Sequence, residues 1–229
     1  MKVVLLGATG MVGQGVLREC LRDERVSEVL VIGRTRLGVE HPKLRELTAP
    51  DLAELVTRPD VAKELSGYDA CFFCLGVSSA GMTEEAYHHV TYDLTLTVAH
   101  ALCAHNSDLT FVYVSGQGTD STEQGRTMWA RVKGKTENHL LSLPMTTYLF
   151  RPGYIQPLHG ITSKTRLYRA LYVVTSPLYP LLRRLAPHQV TSTEQLGRAM
   201  IAVAATGAPE PHLGPREIND LAGTPSSSH

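Results

Sequence analysis

The sequence has no excess charge of either sign, few aromatic side chains and no uninterrupted apolar run long enough for a membrane span. Its 229 residues include 22 basic and 22 acidic side chains, so the formal net charge is zero. Without a long-range positive field, the chain is a poor candidate for binding nucleic acid or an anionic membrane surface. The longest apolar stretch, residues 167–185, is interrupted by two prolines and three arginines, which argues against a transmembrane helix. We therefore expect neither a nucleic-acid partner nor a membrane partner.

Cysteine is also scarce, with four in the whole chain. Cys71 and Cys74 form a C-x-x-C pair inside an apolar run that is typical of a buried strand. Residues three apart on a strand point to opposite faces, so these thiols are not placed to share a metal ion or to form an easy disulfide. The adjacent His88 and His89 are interpreted as a solvated part of a helix. We predict core cysteines and no metal site.

What the sequence does contain is a regular alternation of short apolar runs and amphipathic segments. The predicted strands are residues 2–6, 28–32, 44–47, 70–74, 109–114 and 147–150. The predicted helices are residues 10–21, 50–56, 61–65, 84–104, 127–141 and 193–205. Short, almost continuously apolar strands are typical of a parallel sheet covered by helices on both faces. We predict an α/β fold with a doubly wound parallel sheet, the Rossmann fold.

The later part of the chain departs from this alternation. Residues 153–190 are rich in proline and tyrosine, and we interpret them as an irregular substrate-side insertion, a lid or a subunit contact. A surface segment without a functional role is the alternative interpretation. We predict one domain over residues 1–222, with a short late strand at residues 216–221 and a disordered tail at residues 223–229. Because the first predicted strand leaves no room for a preceding secretory signal, we expect a cytoplasmic protein.

The most informative segment joins the first predicted strand to the first predicted helix. Its glycines Gly7, Gly10 and Gly13 recur every third residue. A pyrophosphate binds bare backbone N–H groups and the positive end of a helix dipole, and glycine lets the backbone come close. A strand, a glycine turn and a helix in this order predict a dinucleotide site, although an ordinary flexible turn is the alternative. The residues predicted to bind the dinucleotide here are Gly7, Thr9, Gly10, Met11, Val12 and Gly13.

The end of the second predicted strand bears on the choice of cofactor. NAD-binding folds usually place Asp or Glu there to hold the ribose 2′-hydroxyl, whereas this chain has Arg34 and Arg36. A guanidinium matches the charge and geometry of a 2′-phosphate. One charge-assisted contact of ~1.5–3 kcal/mol corresponds to a preference of roughly 10- to 100-fold. We predict NADP, with NAD less favoured; a solvated Arg34 without a ligand is the alternative.

Four motifs in order resemble the atypical short-chain dehydrogenase/reductases, including the Tat-interacting oxidoreductase-like proteins. They are residues 7–13, 31–34, 73–76 and 150–153, and the likeness extends over about residues 1–205. The resemblance implies a Rossmann domain with NADP laid across the ends of the strands. It also implies that Leu75 and Gly76 run beside the adenine ribose and pyrophosphate, and that Pro152 and Gly153 approach the nicotinamide.

The resemblance also defines where the chain departs from the family. Members usually use Ser, Tyr and Lys, the last two as Tyr-x-x-x-Lys; here Lys133 is kept, but Trp129 occupies the tyrosine position. An indole N–H is a donor that does not deprotonate near neutral pH, so it cannot cycle a proton. Similar proteins have two serines after the fifth strand, the second of them catalytic, where this chain has Ser115 and a glycine. Tyr154 is the most credible substitute phenol, and a lid-packing aromatic is the alternative.

Two functional hypotheses follow. The first is an NADP-dependent oxidoreductase or epimerase-like enzyme that acts on an unidentified small molecule with a nonstandard proton donor. The catalytic candidates under this hypothesis are Lys133, Ser115, Trp129 and Tyr154. The second is a catalytically inactive NADP(H)-binding regulator or redox sensor. Whether the chain forms a homodimer stays open, since helices that often pair in this family also serve as plain surface.

Overall fold

The computed structural model describes residues 1–161 and 189–223. The strands in these ranges are β1 (Lys2–Leu6), β2 (Glu28–Gly33), β3 (Leu44–Thr48), β4 (Ala70–Phe73), β5 (Thr110–Val114), β6 (Thr146–Phe150), β7 (Tyr154–Gln156), β8 (Val190–Ser192) and β9 (His212–Leu213). The α-helices there are α1 (Met11–Arg22), α2 (Leu52–Thr57), α3 (Glu84–His88), α4 (Leu94–His105), α5 (Met128–Ser142), α6 (Thr193–Thr206) and α7 (Pro215–Gly223). A short 3₁₀ turn occupies Ala62–Leu65.

The main sheet of the described residues has seven strands in the order β3-β2-β1-β4-β5-β6-β9. Every neighbouring pair in it is parallel. The chain leaves β1 toward β3 first and then returns to continue through β4 on the other side, so the sheet is wound in both directions. The predicted doubly wound α/β fold is therefore confirmed.

The alternating side chains of β1 explain why helices cover both faces of the sheet. Val3 and Leu5 join one core cluster, to which α1 and α6 contribute. Val4 and Leu6 join the other, to which α2, α4 and α5 contribute. All four side chains are fully buried, as expected for a central parallel strand with its two faces covered. The glycine turn after β1 is thereby anchored at the centre of the sheet.

Two features of the later chain correct or extend the sequence prediction. The predicted strand at residues 216–221 is wrong, because these residues lie in helix α7 and bury Ile218. The seventh strand is instead His212–Leu213, which pairs with β6. A strand of two residues carries too little periodicity to be predicted from sequence. β7 and β8 form a second, two-stranded sheet, which the sequence analysis also missed.

The predicted helix over residues 84–104 is present with an interruption. Thr83 caps its start by accepting a hydrogen bond from the Ala86 N–H at 3.2 Å. A π-helical turn at His89–Asp93 then separates α3 from α4. Single π turns inside helices are rare and recur at functional sites.

The cysteine interpretation is confirmed where the structure tests it. Cys71 packs in the cluster on one face of the sheet, and Cys74 packs against the cluster on the other. Burial raises the pKa of both thiols well above the usual range, so neither is prepared to act as a thiolate. No group of three or more metal-ligating side chains occurs in the part of the chain that the structure describes.

Residues 162–188, the greater part of the predicted insertion, lie outside the described residues, as do residues 224–229 of the predicted tail. Gly223, which was predicted to begin that tail, ends helix α7. In residues 1–161 and 189–223, none of the helices has the length and apolar character needed to cross a bilayer.

Candidate functional site

The turn between β1 and α1 is built so that only glycine fits at two of its positions. Gly7 has a φ of +82°, and a Cβ there would lie 2.6 Å from the backbone of Cys74 and Leu75. A Cβ at Gly13 would lie 2.1 Å from the Gly7 carbonyl oxygen. Gly7 therefore lets the end of β1 approach the segment after β4, and Gly13 lets α1 pack directly on the turn.

The first turn of α1 is left open toward this edge of the sheet. Gly10 is its N-cap, and no side chain of the described residues caps the free N–H groups. The first turn also contains no acidic residue. A helix start of this kind offers unpaired donors and the positive end of the helix dipole to an anion.

These elements form one wall of a cleft of about 700 Å³. Its volume falls in the range of small-molecule and cofactor sites. The cleft is lined by the predicted residues Gly7, Thr9, Gly10, Met11, Arg34, Leu75 and Gly76. Val12, Gly13 and Arg36 are not in the lining: Val12 packs against the core, Gly13 holds α1 against the turn, and Arg36 is exposed. The open helix start and the glycine cradle fit a dinucleotide pyrophosphate.

Arg34 stands at the end of β2 without a competing carboxylate in the cleft lining. Its side chain is exposed, and it makes no ion pair in the part of the chain that is described. The nearby Glu46 of β3 is occupied, since its carboxylate accepts a hydrogen bond from the Leu37 N–H at 2.8 Å. The guanidinium is thus available to a ligand, and the neighbouring carboxylate is used to hold the loop.

The cleft continues on two sides. On one side Arg34 and Leu75 also line a smaller cavity of about 280 Å³, with Pro50, Asp51 and Leu52 on its wall. Asp51 is held there as the N-cap of α2, because its carboxylate accepts hydrogen bonds from Ala53 and Glu54. This wall was not predicted from the sequence, although a capping aspartate ahead of an apolar helix is a recognisable signal.

On the other side, Val77 joins the cleft to a cavity of about 410 Å³ that holds most of the predicted catalytic residues. It is lined by Val77, Ser78, Ser79, Tyr87, Ser115, Gly116, Gln117, Trp129, Lys133, Pro152 and Gly153. The loops after β5 and β6 form its floor. They are joined by hydrogen bonds from Ser115 N–H to the Phe150 carbonyl and from Gln117 N–H to the Pro152 carbonyl, each 2.9 Å long.

Lys133 lies on α5, one turn after Trp129 and on the same face of that helix. Its Nζ donates a hydrogen bond to the Ser115 carbonyl oxygen. Burial lowers the pKa of Lys133 from 10.5 to about 8, and the negative charge of Glu137 opposes that change. The lysine therefore carries a labile proton in the pH range where proton transfer is most useful.

The Ser115 hydroxyl is hydrogen-bonded within the protein, which does not suit a simple catalytic role. It donates a hydrogen bond to the Glu137 carboxylate, whose side chain is 0% exposed. Arg151 pairs with the same carboxylate through its Nε, at 3.0 Å, and its Nη2. Glu137 thus ties the ends of β5 and β6 to α5, and the sequence analysis assigned it no role.

Trp129 and Tyr154 are placed differently. The Trp129 indole lies over Gly118, where an added Cβ would be 3.4 Å from the ring, and it lines the cavity beside Lys133. Tyr154 does not line this cavity; it lies in β7 and its hydroxyl donates to the Gln156 side chain at 2.9 Å. The phenol in the cavity wall is instead Tyr87 of α3. No Lys follows Tyr87 four residues later, so sequence spacing gave no signal for it.

Close packing of α5 brings Lys133 to the cavity. A Cβ at Gly134 would lie 1.8 Å from the Asp120 carbonyl oxygen, so a residue with a side chain would push the helix off the loop after β5. The Asp120 N–H also donates to the Ala130 carbonyl at 3.1 Å. The glycine directly after Lys133 thereby fixes how deeply the lysine enters.

Comparison with curated proteins finds relatives of modest identity. Protein HTATIP2 of Rattus norvegicus is 27% identical over 158 residues, which cover 67% of this chain and 62% of that protein. The mitochondrial protein FMP52-2 of Scheffersomyces stipitis is 27% identical over 154 residues, covering 66% of this chain and 65% of that protein. The match therefore spans less than two thirds of the length of these relatives.

Solved structures share the fold at low identity. The Bordetella bronchiseptica enzyme WbmF in complex with NAD⁺ has a TM-score of 0.65 at 18% identity, covering 96% of this chain and 76% of that chain. The short chain dehydrogenase/reductase YIR035C of Saccharomyces cerevisiae has a TM-score of 0.64 at 11% identity, covering 96% of this chain and 98% of that chain.

The family assignment comes from residues 3–127, which match the NAD dependent epimerase/dehydratase family. This match covers more than half of the chain and includes the glycine turn, Arg34 and the segment after β4. The chain therefore belongs to the NAD dependent epimerase/dehydratase family, which agrees with the resemblance expected from its motifs.

Proposed function

We propose that this protein binds NADP(H) and is an oxidoreductase or epimerase-like enzyme acting on a small molecule. The observation that carries the proposal is the continuous groove along the ends of the strands. It begins at the glycine turn and the open start of α1 and passes Val77 to reach Lys133 and Trp129. A dinucleotide bound at the first end would bring its second half toward the second end. Family membership supports the same class of cofactor.

The preference for NADP over NAD depends on Arg34. Its guanidinium lines the cleft, and the carboxylate that would hold a ribose 2′-hydroxyl is missing from the end of β2. A 2′-phosphate near Arg34 would gain a charge-assisted contact of ~1.5–3 kcal/mol. Arg36 is exposed on the same loop and would add long-range attraction.

In the second half of the groove, Lys133 and the loops after β5 and β6 form the reaction site. A bound nicotinamide would supply or accept a hydride there. Lys133 would hold a proton at its Nζ and orient bound hydroxyl groups, while Pro152 and Gly153 form the facing wall. A Cβ at Gly153 would lie 2.8 Å from both the Gln117 side-chain oxygen and the Gln189 carbonyl oxygen, so this wall has no room for a side chain.

Titration of the purified protein with NADPH and NADH tests the cofactor. We expect NADPH to bind more tightly and to quench the fluorescence of Trp129, the single tryptophan. Arg34→Ala should lower the affinity for NADPH by roughly 10- to 100-fold and leave the affinity for NADH unchanged. Arg216→Ala, which removes an exposed arginine of α7, is the control.

Equal affinities for the two coenzymes in the wild-type protein would remove Arg34 from its assigned role. Unchanged melting of the protein at saturating NADPH and NADH would contradict coenzyme binding altogether, since a ligand that binds the native state must stabilise it.

Trp129 supports a second candidate, a catalytically inactive NADP(H)-binding regulator or redox sensor. Losing a general acid typically costs ~10²–10⁴-fold in rate, and the indole at this position cannot replace a phenol. Turnover on a panel of aldehydes, ketones and quinones separates the candidates. Tight NADPH binding without turnover of any of them would favour the regulator.

A further inference from the structure

We propose that Tyr87 is the catalytic proton donor of this site and replaces the phenol that the chain lacks at position 129. The inference deepens the proposed function and rests on it, since it requires a bound nicotinamide coenzyme. It assigns the proton transfer to a residue of α3, whereas similar proteins carry their tyrosine at the position that Trp129 occupies on α5.

The position of Tyr87 is the first support. Tyr87 lines the same cavity as Lys133, Trp129 and Ser115, and its side chain is 2% exposed. A largely buried aromatic ring has few ways to move, so the hydroxyl is held in place before a substrate arrives.

The chemistry of the hydroxyl groups in the cavity is the second support. The lining includes the aliphatic hydroxyls of Ser78, Ser79 and Ser115 and the phenol of Tyr87. An aliphatic hydroxyl is a much weaker acid than a phenol. Tyr87 therefore carries the most acidic hydroxyl in the described lining of this cavity.

An ion pair connects α3 to the helix that carries Lys133. Arg131 of α5 pairs with Glu84 of α3 at 2.6 Å. Tyr87 also lies within electrostatic range of the buried Tyr113 of β5, whose pKa is raised by burial and further by Tyr87. These interactions place Tyr87 close to both α5 and the sheet.

The step proposed for this arrangement is a carbonyl reduction, for which a bound reduced nicotinamide dinucleotide would supply the hydride to the carbonyl carbon. As the electron pair of the C=O π bond moves to oxygen, that oxygen would take the proton of the Tyr87 hydroxyl, leaving an alcohol, the oxidised coenzyme and a phenolate on Tyr87. Lys133 would return a proton to the phenolate and regain one from solvent. In the oxidative direction every transfer would be reversed.

The first test requires no substrate. Oxidised NADP carries a positive nicotinamide, so its binding beside Tyr87 should favour the phenolate and release protons, which an indicator dye detects in weakly buffered solution near pH 8. We expect Tyr87→Phe to bind NADP with unchanged affinity but to release fewer protons per bound coenzyme than the wild type. Tyr68→Phe removes a phenol oxygen that contacts Glu28, outside the cavity lining, and should match the wild type. Equal release by Tyr87→Phe and wild type would overturn the assignment and leave Lys133 as the source.

The second test uses turnover and a rescue variant. Tyr87→Phe should lower kcat on the carbonyl panel by ~100-fold or more, and the double variant Tyr87→Phe with Trp129→Tyr should regain most of the lost rate. A structural defect at α3 would not be repaired by a phenol on α5. Full activity of Tyr87→Phe, or a wild-type protein that binds NADPH without reducing any carbonyl compound, would overturn the assignment while coenzyme binding stands. Failure of NADPH to raise the melting temperature would instead remove the proposed function itself.

Discussion

At the scale of single residues, the position of Lys133 lowers the stability of the native state but suits proton transfer. Its ammonium group is half-buried beside the Ser115 carbonyl, and burial lowers its pKa to about 8. A cation in such a place weakens the native state, because the same group is fully hydrated in the unfolded chain. Lysines of this kind serve as proton carriers near neutral pH. The family resemblance identified Lys133 in the sequence, whereas its lowered pKa depends on burial in the folded protein.

The lowered pKa of Lys133 predicts that the stability of the protein depends on pH. The pKa in the folded state, about 8, is below the ordinary 10.5, so between these pH values the unfolded chain binds more protons than the native protein. Stability therefore rises with pH across that interval as far as Lys133 is concerned. We expect the melting temperature of the coenzyme-free wild type to rise relative to that of Lys133→Met between pH 8 and 10.5. A difference that stays flat with pH would contradict the lowered pKa.

At the scale of elements, the buried carboxylate of Glu137 joins three pieces of the fold that are distant in sequence. It belongs to α5, accepts a hydrogen bond from Ser115 at the end of β5, and pairs with Arg151 after β6. Buried ion pairs add little net stability when complete, but leaving one partner unpaired is costly. The contacts of Glu137 with Ser115 and Arg151 therefore hold the cavity floor and helix α5 in a fixed arrangement.

Glu137→Gln should therefore destabilise the protein by ~3–5 kcal/mol, because the partly buried Arg151 loses the fully buried carboxylate that neutralises it. Urea unfolding measures the change. Glu64→Gln interrupts the exposed pair with Arg45 and should cost no more than ~1 kcal/mol. Similar losses in both variants would show that the Glu137 pair behaves like a surface contact.

At the scale of the whole molecule, the two ends of the described chain are packed together. A Cβ at Gly15 of α1 would lie 2.6 Å from the Thr193 Cβ and 2.7 Å from its carbonyl oxygen. Gly197 of α6 allows the same closeness from the other side, where a Cβ would lie 3.0 Å from the Glu19 side chain. The helix that starts at the cofactor turn is thus supported by a helix from the end of the fold.

Gly15→Ala should lower stability by ~1–3 kcal/mol through overpacking at this helix pair and weaken NADPH binding, since α1 must shift. Thermal melting with and without NADPH measures both effects. In Gly223→Ala, the added Cβ meets nothing within 4 Å, so this variant should match the wild type. If Gly15→Ala melts at the same temperature as the wild type and binds NADPH equally well, α1 and α6 can move apart without loss of stability.

Local sequence patterns were sufficient to predict the class of fold and the glycine turn that opens the candidate site. Strand-like runs such as residues 2–6 and the glycine spacing after them depend on neighbours close in sequence, so local periodicity was sufficient. The same holds for Arg34, whose place at the end of a predicted strand is a local feature. Lys133 was identified through the family resemblance, because it matches the lysine of the Tyr-x-x-x-Lys motif. The strand expected at residues 216–221 failed because an amphipathic helix and a short strand look alike over six residues.

The side chains that meet in the second half of the candidate site are known from the folded structure and not from the sequence. Tyr87, Ser115, Lys133 and Gly153 come from four separate elements, and nothing in their spacing along the chain relates them. Tyr87 lines the same cavity as Lys133, and Tyr154 is not among the described residues of that lining. Local sequence signals fix the conformation of each element, whereas the position of a reactive group in space depends on how the core brings those elements together.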